Sequence, residues 1–189
     1  MLRSRKLLLT TLVVGATSTV AGLGVFAAFT ATTQNTGNSI DAGTVSIRDN
    51  DGTQALYALG AMGPGASTQR CIRVTYDGSL ASTVKVYRSN TVTSGSAFNL
   101  QIERGSIPGT PTFPNCTGFT PAATIYTGTL GGLPTTYAAA PDARGSAWNT
   151  GDTVDYRFTI SVVDDPTPNG HTTPSQSSQH AFTWEAQNN

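Results

Sequence analysis

The side chains able to do chemistry are few, and their spacing suits no familiar catalytic arrangement. Two histidines are present, His171 and His180, nine residues apart. A zinc protease needs two imidazoles on one helical face, as in H-E-x-x-H, and no such pair exists here. His180 heads an inward-facing row, where a hydrogen-bonded structural histidine is the expectation. His171 ends the run Asp164-Asp165-Pro166-Thr167-Pro168-Asn169-Gly170, a composition that reads as a solvated loop. Asp49-Asn50-Asp51-Gly52 has the opening of a calcium loop, but no Glu follows at the EF-hand distance, so a plain turn is expected. Asn115-Cys116-Thr117 fits the glycosylation pattern, and the cysteine in its middle marks a chance match. Serines and threonines are so numerous that spacing nominates no Ser-His-Asp set. The expectation is a protein without catalytic residues, metal ligands or cofactor, and not an enzyme.

Cysteine chemistry is different. Cys71 and Cys116 are the only cysteines and lack the C-x-x-C spacing of a metal or redox site. A bridge between them would close a loop of 45 residues, contributing about 4 kcal/mol on the chain-entropy estimate. Because Ile72 and Val74 alternate inward, Cys71 belongs on the outer face, and the bridge would pin a Gly/Pro-rich loop there. A separate class is glycan binding through stacking faces, for which Tyr57, Tyr87, Tyr126, Tyr137 and Trp148 are the candidates. Core or rim packing accounts for these five better.

The oxidising compartment that a disulfide requires agrees with the N-terminus. Arg3, Arg5 and Lys6 precede an uncharged apolar stretch over 7–28, the order of a signal peptide. Ala28 offers a small residue before the cut, although Phe26 breaks the A-x-A rule; a cut after Ala27 would put Val25 there instead. Residues 1–28 are therefore expected to be lost on secretion, leaving no stable membrane association, with an uncleaved anchor as the alternative. Only 12% of the 189 residues are charged. Without the leader, 8 basic residues face 11 acidic ones, a net charge of −3. With no basic cluster, nucleic acid and anionic membranes are excluded as partners.

The positioning elements follow from alternation. Residues 29–39 (FTATTQNTGNS) are polar and Thr-rich, too poor in apolar surface to fold alone, and read as a flexible arm or an unpaired strand. The domain is expected over 40–189, with strands at 40–47, 53–59, 68–76, 82–88, 98–104, 123–130, 153–163 and 179–186. In the best of them Val154, Tyr156, Phe158, Ile160 and Val162 face one way and Asp155, Arg157, Thr159 and Ser161 the other. Asp49–Gly52 is expected to turn a tight hairpin, and Asp77-Gly78-Ser79 to return the chain between the strands at 68–76 and 82–88. Loops rich in Gly, Pro and polar residues fill 105–121 and 164–178, and 131–150 reads as mostly irregular. Roughly eight or nine strands without an amphipathic helix imply an all-β, antiparallel two-sheet β-sandwich of jelly-roll type, with an immunoglobulin-like sandwich as the alternative.

Several segments, in order, resemble the TasA/camelysin family of secreted bacterial fibre proteins. Phe26-Ala27-Ala28-Phe29 resembles the family's cleavage site, cut before the Phe by a SipW-type signal peptidase, which makes the broken A-x-A rule expected. The segment NSIDAGTV over 38–45 resembles the family's first strand. Met62-Gly63-Pro64-Gly65 is similar to its Pro-Gly turn, Asp77-Gly78-Ser79-Leu80 to its Asn-x-Gly-Ser-Leu turn, and Phe182-Thr183-Trp184-Glu185-Ala186 to its closing strand. The resemblance implies a jelly roll that polymerises into fibres of the biofilm matrix, in the extracellular space or at the cell surface. It implies donor-strand exchange, in which the arm of one subunit, carrying Phe29, Thr30, Thr32 and Thr33, completes the sheet of the next. Its partner would then be itself, head to tail, with a sister matrix protein as a further candidate. The family also includes members described as camelysin metalloendopeptidases, an activity that the histidine spacing here does not favour.

Overall fold

The computed structural model describes residues 42–59, 62–163 and 180–188, all within one compact unit, Ala42–Asn189. Among the described residues seven strands form: β1 (Ile47–Asp49), β2 (Ser67–Tyr76), β3 (Ser82–Arg88), β4 (Phe98–Ser106), β5 (Thr120–Thr129), β6 (Thr153–Val162) and β7 (Phe182–Asn188). All pairings are antiparallel. One sheet has the order β1-β2-β6-β4-β5 and the other is the pair β3-β7. The protein is thus all-β and sandwich-like, as the alternating sequence implies. Among the described residues, no helix is long and apolar enough to cross a membrane.

Alternation places the core. In β2, Ile72, Val74 and Tyr76 are buried, in β3 Val84 and Val86, in β4 Leu100 and Ile102, and in β6 Val154, Tyr156, Phe158 and Ile160. The two sheets meet through aromatic rings. Phe158 of β6 lies 4.6 Å, centroid to centroid, from Phe182 of β7, and Tyr156 lies 5.5 Å from Trp184. Tilted contacts of this kind add to area burial because ring edges and faces carry opposite partial charge.

Three local expectations are corrected. The strand expected at 40–47 is paired only over Ile47–Asp49; residues 40 and 41 lie outside the described residues. Residues 42–46 instead run beside the 77–80 turn, where Asp77 and Gly78 donate N–H to the Ser46 carbonyl and Ser79 and Leu80 to that of Thr44. Second, 53–59 forms no strand. The turn before it is real, with Gly52 and Thr53 left-handed at φ 58° and 72° and Gln54 donating to the Asp51 carbonyl, but it joins no hairpin. Leu56, Tyr57 and Leu59 pack on the core instead. Third, Asp77-Gly78-Ser79 carries the chain from one sheet to the other, since β2 and β3 belong to different sheets. The corner is fixed by the Tyr76 hydroxyl, which bonds the Leu80 carbonyl and the Ser82 hydroxyl. Gly78 is required there, because a Cβ would run into the Tyr76 ring and the Thr44 carbonyl. The Gly63-Pro64-Gly65-Ala66 turn is as expected: Ala66 donates to the Gly63 carbonyl at 3.1 Å and Gly65 takes φ 75°, a type II turn.

Candidate assembly edge

The two sheets of the described residues present four edges, and an unpaired edge is a template for another chain. Three of the four are blunted. Beyond short β1, the edge of β2 is sealed by a side chain and a loop: Arg73 N–H donates to Asn50 Oδ1 at 2.9 Å and Cys71 N–H to the Pro114 carbonyl at 3.0 Å. On the far side of that sheet, β5 carries Pro121 and meets β4 with two register shifts, both of which spoil a regular template. The outer edge of β3 is covered by 134–148. Trp148 and Ser82 exchange both backbone bonds, Ala143 donates to Val84, Val86 to Pro141 and Arg88 to Pro134.

The fourth edge is that of β7. Its register with β3 is unbroken from Ser82↔Asn188 to Arg88↔Phe182, and it contains no Pro. Because Ser82, Val84, Val86 and Arg88 spend their backbone groups on 134–148, the alternate residues Thr83, Lys85 and Tyr87 face β7. Ser89, next in that series, donates to the Ala181 carbonyl at 3.0 Å. Thr183, Glu185 and Gln187 therefore face β3, while the N–H and C=O groups of Phe182, Trp184 and Ala186 point away from it. Among the described residues, β7 pairs with β3 alone. The side chains of Phe182, Trp184 and Ala186 pack on the core but remain only partly buried. Glu185 is the one charge on β7; its carboxylate accepts from the Tyr87 hydroxyl at 2.6 Å and the Gln187 amide at 2.7 Å.

The candidate residues from the sequence are distributed as follows. The cleavage and arm residues Ala28, Phe29, Thr30, Thr32 and Thr33 lie outside the described residues, as does His171. Cys71 and Cys116 form the disulfide, with Cα atoms 5.1 Å apart. Cys71 is on the same face of β2 as Arg73, as alternation requires, yet it is only 2% exposed because the 107–119 loop lies over it. His180 Nε2 meets the Tyr57 hydroxyl at 3.0 Å beside the Phe182 ring, in the structural role expected of it. Burial pushes the Tyr57 phenol up. Asp49 and Asp51 accept backbone N–H groups from Asp51 and Thr53, closing consecutive side-chain turns. Among the described residues, no three His, Cys, Asp or Glu side chains converge as a metal site would require.

The aromatic candidates do not assemble into a stacking platform. Trp148 is fully buried, Tyr126 and Tyr137 spend their hydroxyls on the Thr129 and Thr83 carbonyls, and Tyr87 is tied to Glu185. Sequence reasoning missed Asn50 and Pro114, whose edge-sealing bonds depend on distant partners. No protein-family model matches the chain, and no curated protein matches it.

Proposed function

We propose that the protein is a secreted structural subunit that polymerises head to tail into extracellular or cell-surface fibres of a bacterial biofilm matrix. In this reading the domain is of jelly-roll type. Removal of 1–28 frees the arm 29–39, which adds as a strand to the β7 edge of the next copy. One observation carries the proposal: among four sheet edges, β7 alone is regular, free of proline and uncovered among the described residues. Support also comes from the arm's chemistry, Thr-rich and without Pro or charge, which suits an added strand. A contact between an arm and an edge is heterologous, and a heterologous contact that does not close gives a filament. Each backbone hydrogen bond contributes about 1 kcal/mol net, so a strand's worth adds up, and Phe29 supplies the one large apolar side chain of the arm.

The test is light scattering of the secreted form with and without 29–39. Loss of scattering in a truncated protein that still folds supports donor-strand assembly; equal scattering would reduce the arm to a linker. A camelysin-like metalloendopeptidase activity finds no supporting cluster among the described residues, and chelator-sensitive casein hydrolysis would be its signature.

A further inference from the structure

The outward face of the five-stranded sheet has two chemically different halves. One half is charged and partly roofed. There Arg73 pairs with Asp155, Arg157 pairs with Glu103 at 2.7 Å, and the Arg157 guanidinium lies 4.7 Å from the Phe119 ring centroid. In the other half, strand register aligns uncharged side chains only. One rank across the sheet is Ser67, Ser161, Asn99 and Thr129. The next is Gln69, Thr159, Gln101 and Thr127. Among the described residues, Thr129 is the one of these eight whose side chain has a hydrogen-bond partner in the protein, its hydroxyl accepting the Gly132 N–H at 3.1 Å. Neighbours within a rank stand about 4.8 Å apart, and the ranks are about 6.8 Å apart. A shallow depression of about 270 Å³ sits in the middle, lined by Asn99, Gln101, Thr127, Thr159 and Ser161 together with Leu100 and Gly128. Solvated sandwich faces ordinarily carry Lys and Glu, which hydrate them and repel other sheets. This half carries neither.

We propose that these two ranks form a binding face for a neutral polyhydroxylic polymer, an uncharged polysaccharide. Neither rank carries a charge with which to hold a polyanion, and the neighbouring Arg157 is paired with Glu103. Neither rank carries a large apolar side chain, and Leu100 beneath them is buried, so the dry core that a protein partner would need is missing. What remains is hydroxyls, each donor and acceptor, beside Asn and Gln amides that present a donor and an acceptor together. Vicinal sugar hydroxyls have the same dual character and pair with such groups in register. The face is separate from the β7 edge, so the inference stands or falls independently of fibre assembly.

The test is affinity electrophoresis of the folded protein through gels containing dextran, glucomannan or xyloglucan, with dextran sulfate as the charged control. Retardation by at least one neutral polymer is expected. Gln101→Ala combined with Thr159→Val should weaken it by about tenfold or more, with the thermal melt unchanged. Glu103→Gln with Arg157→Gln, in the charged half, should leave retardation as it was. No retardation by any neutral polymer, or retardation by dextran sulfate alone, overturns the proposal. So does a concentration-dependent dimer abolished by Gln101→Ala and Thr159→Val, which would make the face a contact between copies.

Discussion

Arg73 on β2 and Asp155 on β6 stand opposite each other in register and are joined by two hydrogen bonds, Nε to Oδ1 at 2.7 Å and Nη2 to Oδ2 at 2.8 Å. The pair also holds the loop above it. Arg73 donates to the Ile107 and Gly109 carbonyls, and Asp155 accepts the Ile107 N–H, each at 2.6 Å. The Asp155 side chain is 4% exposed, so removing its partner strands a carboxylate in a dry place. Arg73→Ala should destabilise the domain by about 2–4 kcal/mol, somewhat discounted because the arginine itself is partly solvated. Urea unfolding measures it, and a loss below about 0.5 kcal/mol would show the loop to be held by other means.

The disulfide fastens the other end of the same loop. Replacing both Cys71 and Cys116 with Ala should cost about 4 kcal/mol on the chain-entropy estimate, while Arg73 keeps the near end of the loop attached. The expected pattern in hydrogen exchange is faster exchange in β2 at the Cys71 amide, whose acceptor is the Pro114 carbonyl. Protection there equal to that of the oxidised protein would contradict the assigned role.

Acid should weaken the fold through Asp152 and Glu185. The Asp152 carboxyl is held below its ordinary value by the Asn149 N–H and Arg144, and that of Glu185 by the Tyr87 hydroxyl and Gln187. A carboxyl depressed in the folded state contributes its full stability above its ordinary value and loses it as pH falls toward the depressed one. Asp49, whose carboxyl burial pushes up, works in the opposite sense. Thermal melts from pH 6 down should therefore show a fall that is shallower in Asp152→Asn. An identical acid slope in that variant would remove Asp152 from the account.

Secretion predicts a new N-terminus. Sequencing the exported protein should find Phe29 first, at the end of the basic, apolar and small-residue order of the leader. Recovery solely from membranes with Met1 or Leu2 at the N-terminus would contradict it.

What the sequence made legible was local. Two-residue alternation marked β2, β3, β4 and β6 nearly to their ends, because one face of each is buried and a one-residue slip would expose it. Pairing was not legible. The Asp49–Gly52 segment has hairpin chemistry and does turn, but the strand expected after it instead lays Tyr57 against Phe182 and His180, a contact more than a hundred residues away in sequence. Asp77-Gly78-Ser79 likewise reads locally as a turn that returns the chain, and its crossing between sheets depends on the Tyr76 hydroxyl and on the distant Thr44 and Ser46 carbonyls. The assembly edge was half legible. The closing strand at 179–186 could be read, though it lies at Phe182–Asn188. Its openness depends on which edges Asn50, Pro114 and 134–148 cover, and no local pattern records that.

The most direct measurement of the central claim is electron microscopy of the secreted form and of two variants on either side of one backbone alternation. Ala186→Pro removes an N–H that points away from β3, whereas Gln187→Pro removes one that faces it. The account predicts filaments from the parent, a folded protein without filaments from Ala186→Pro, and a destabilised domain from Gln187→Pro. Filaments from Ala186→Pro as long and as abundant as those of the parent would contradict it, and would move assembly away from β7.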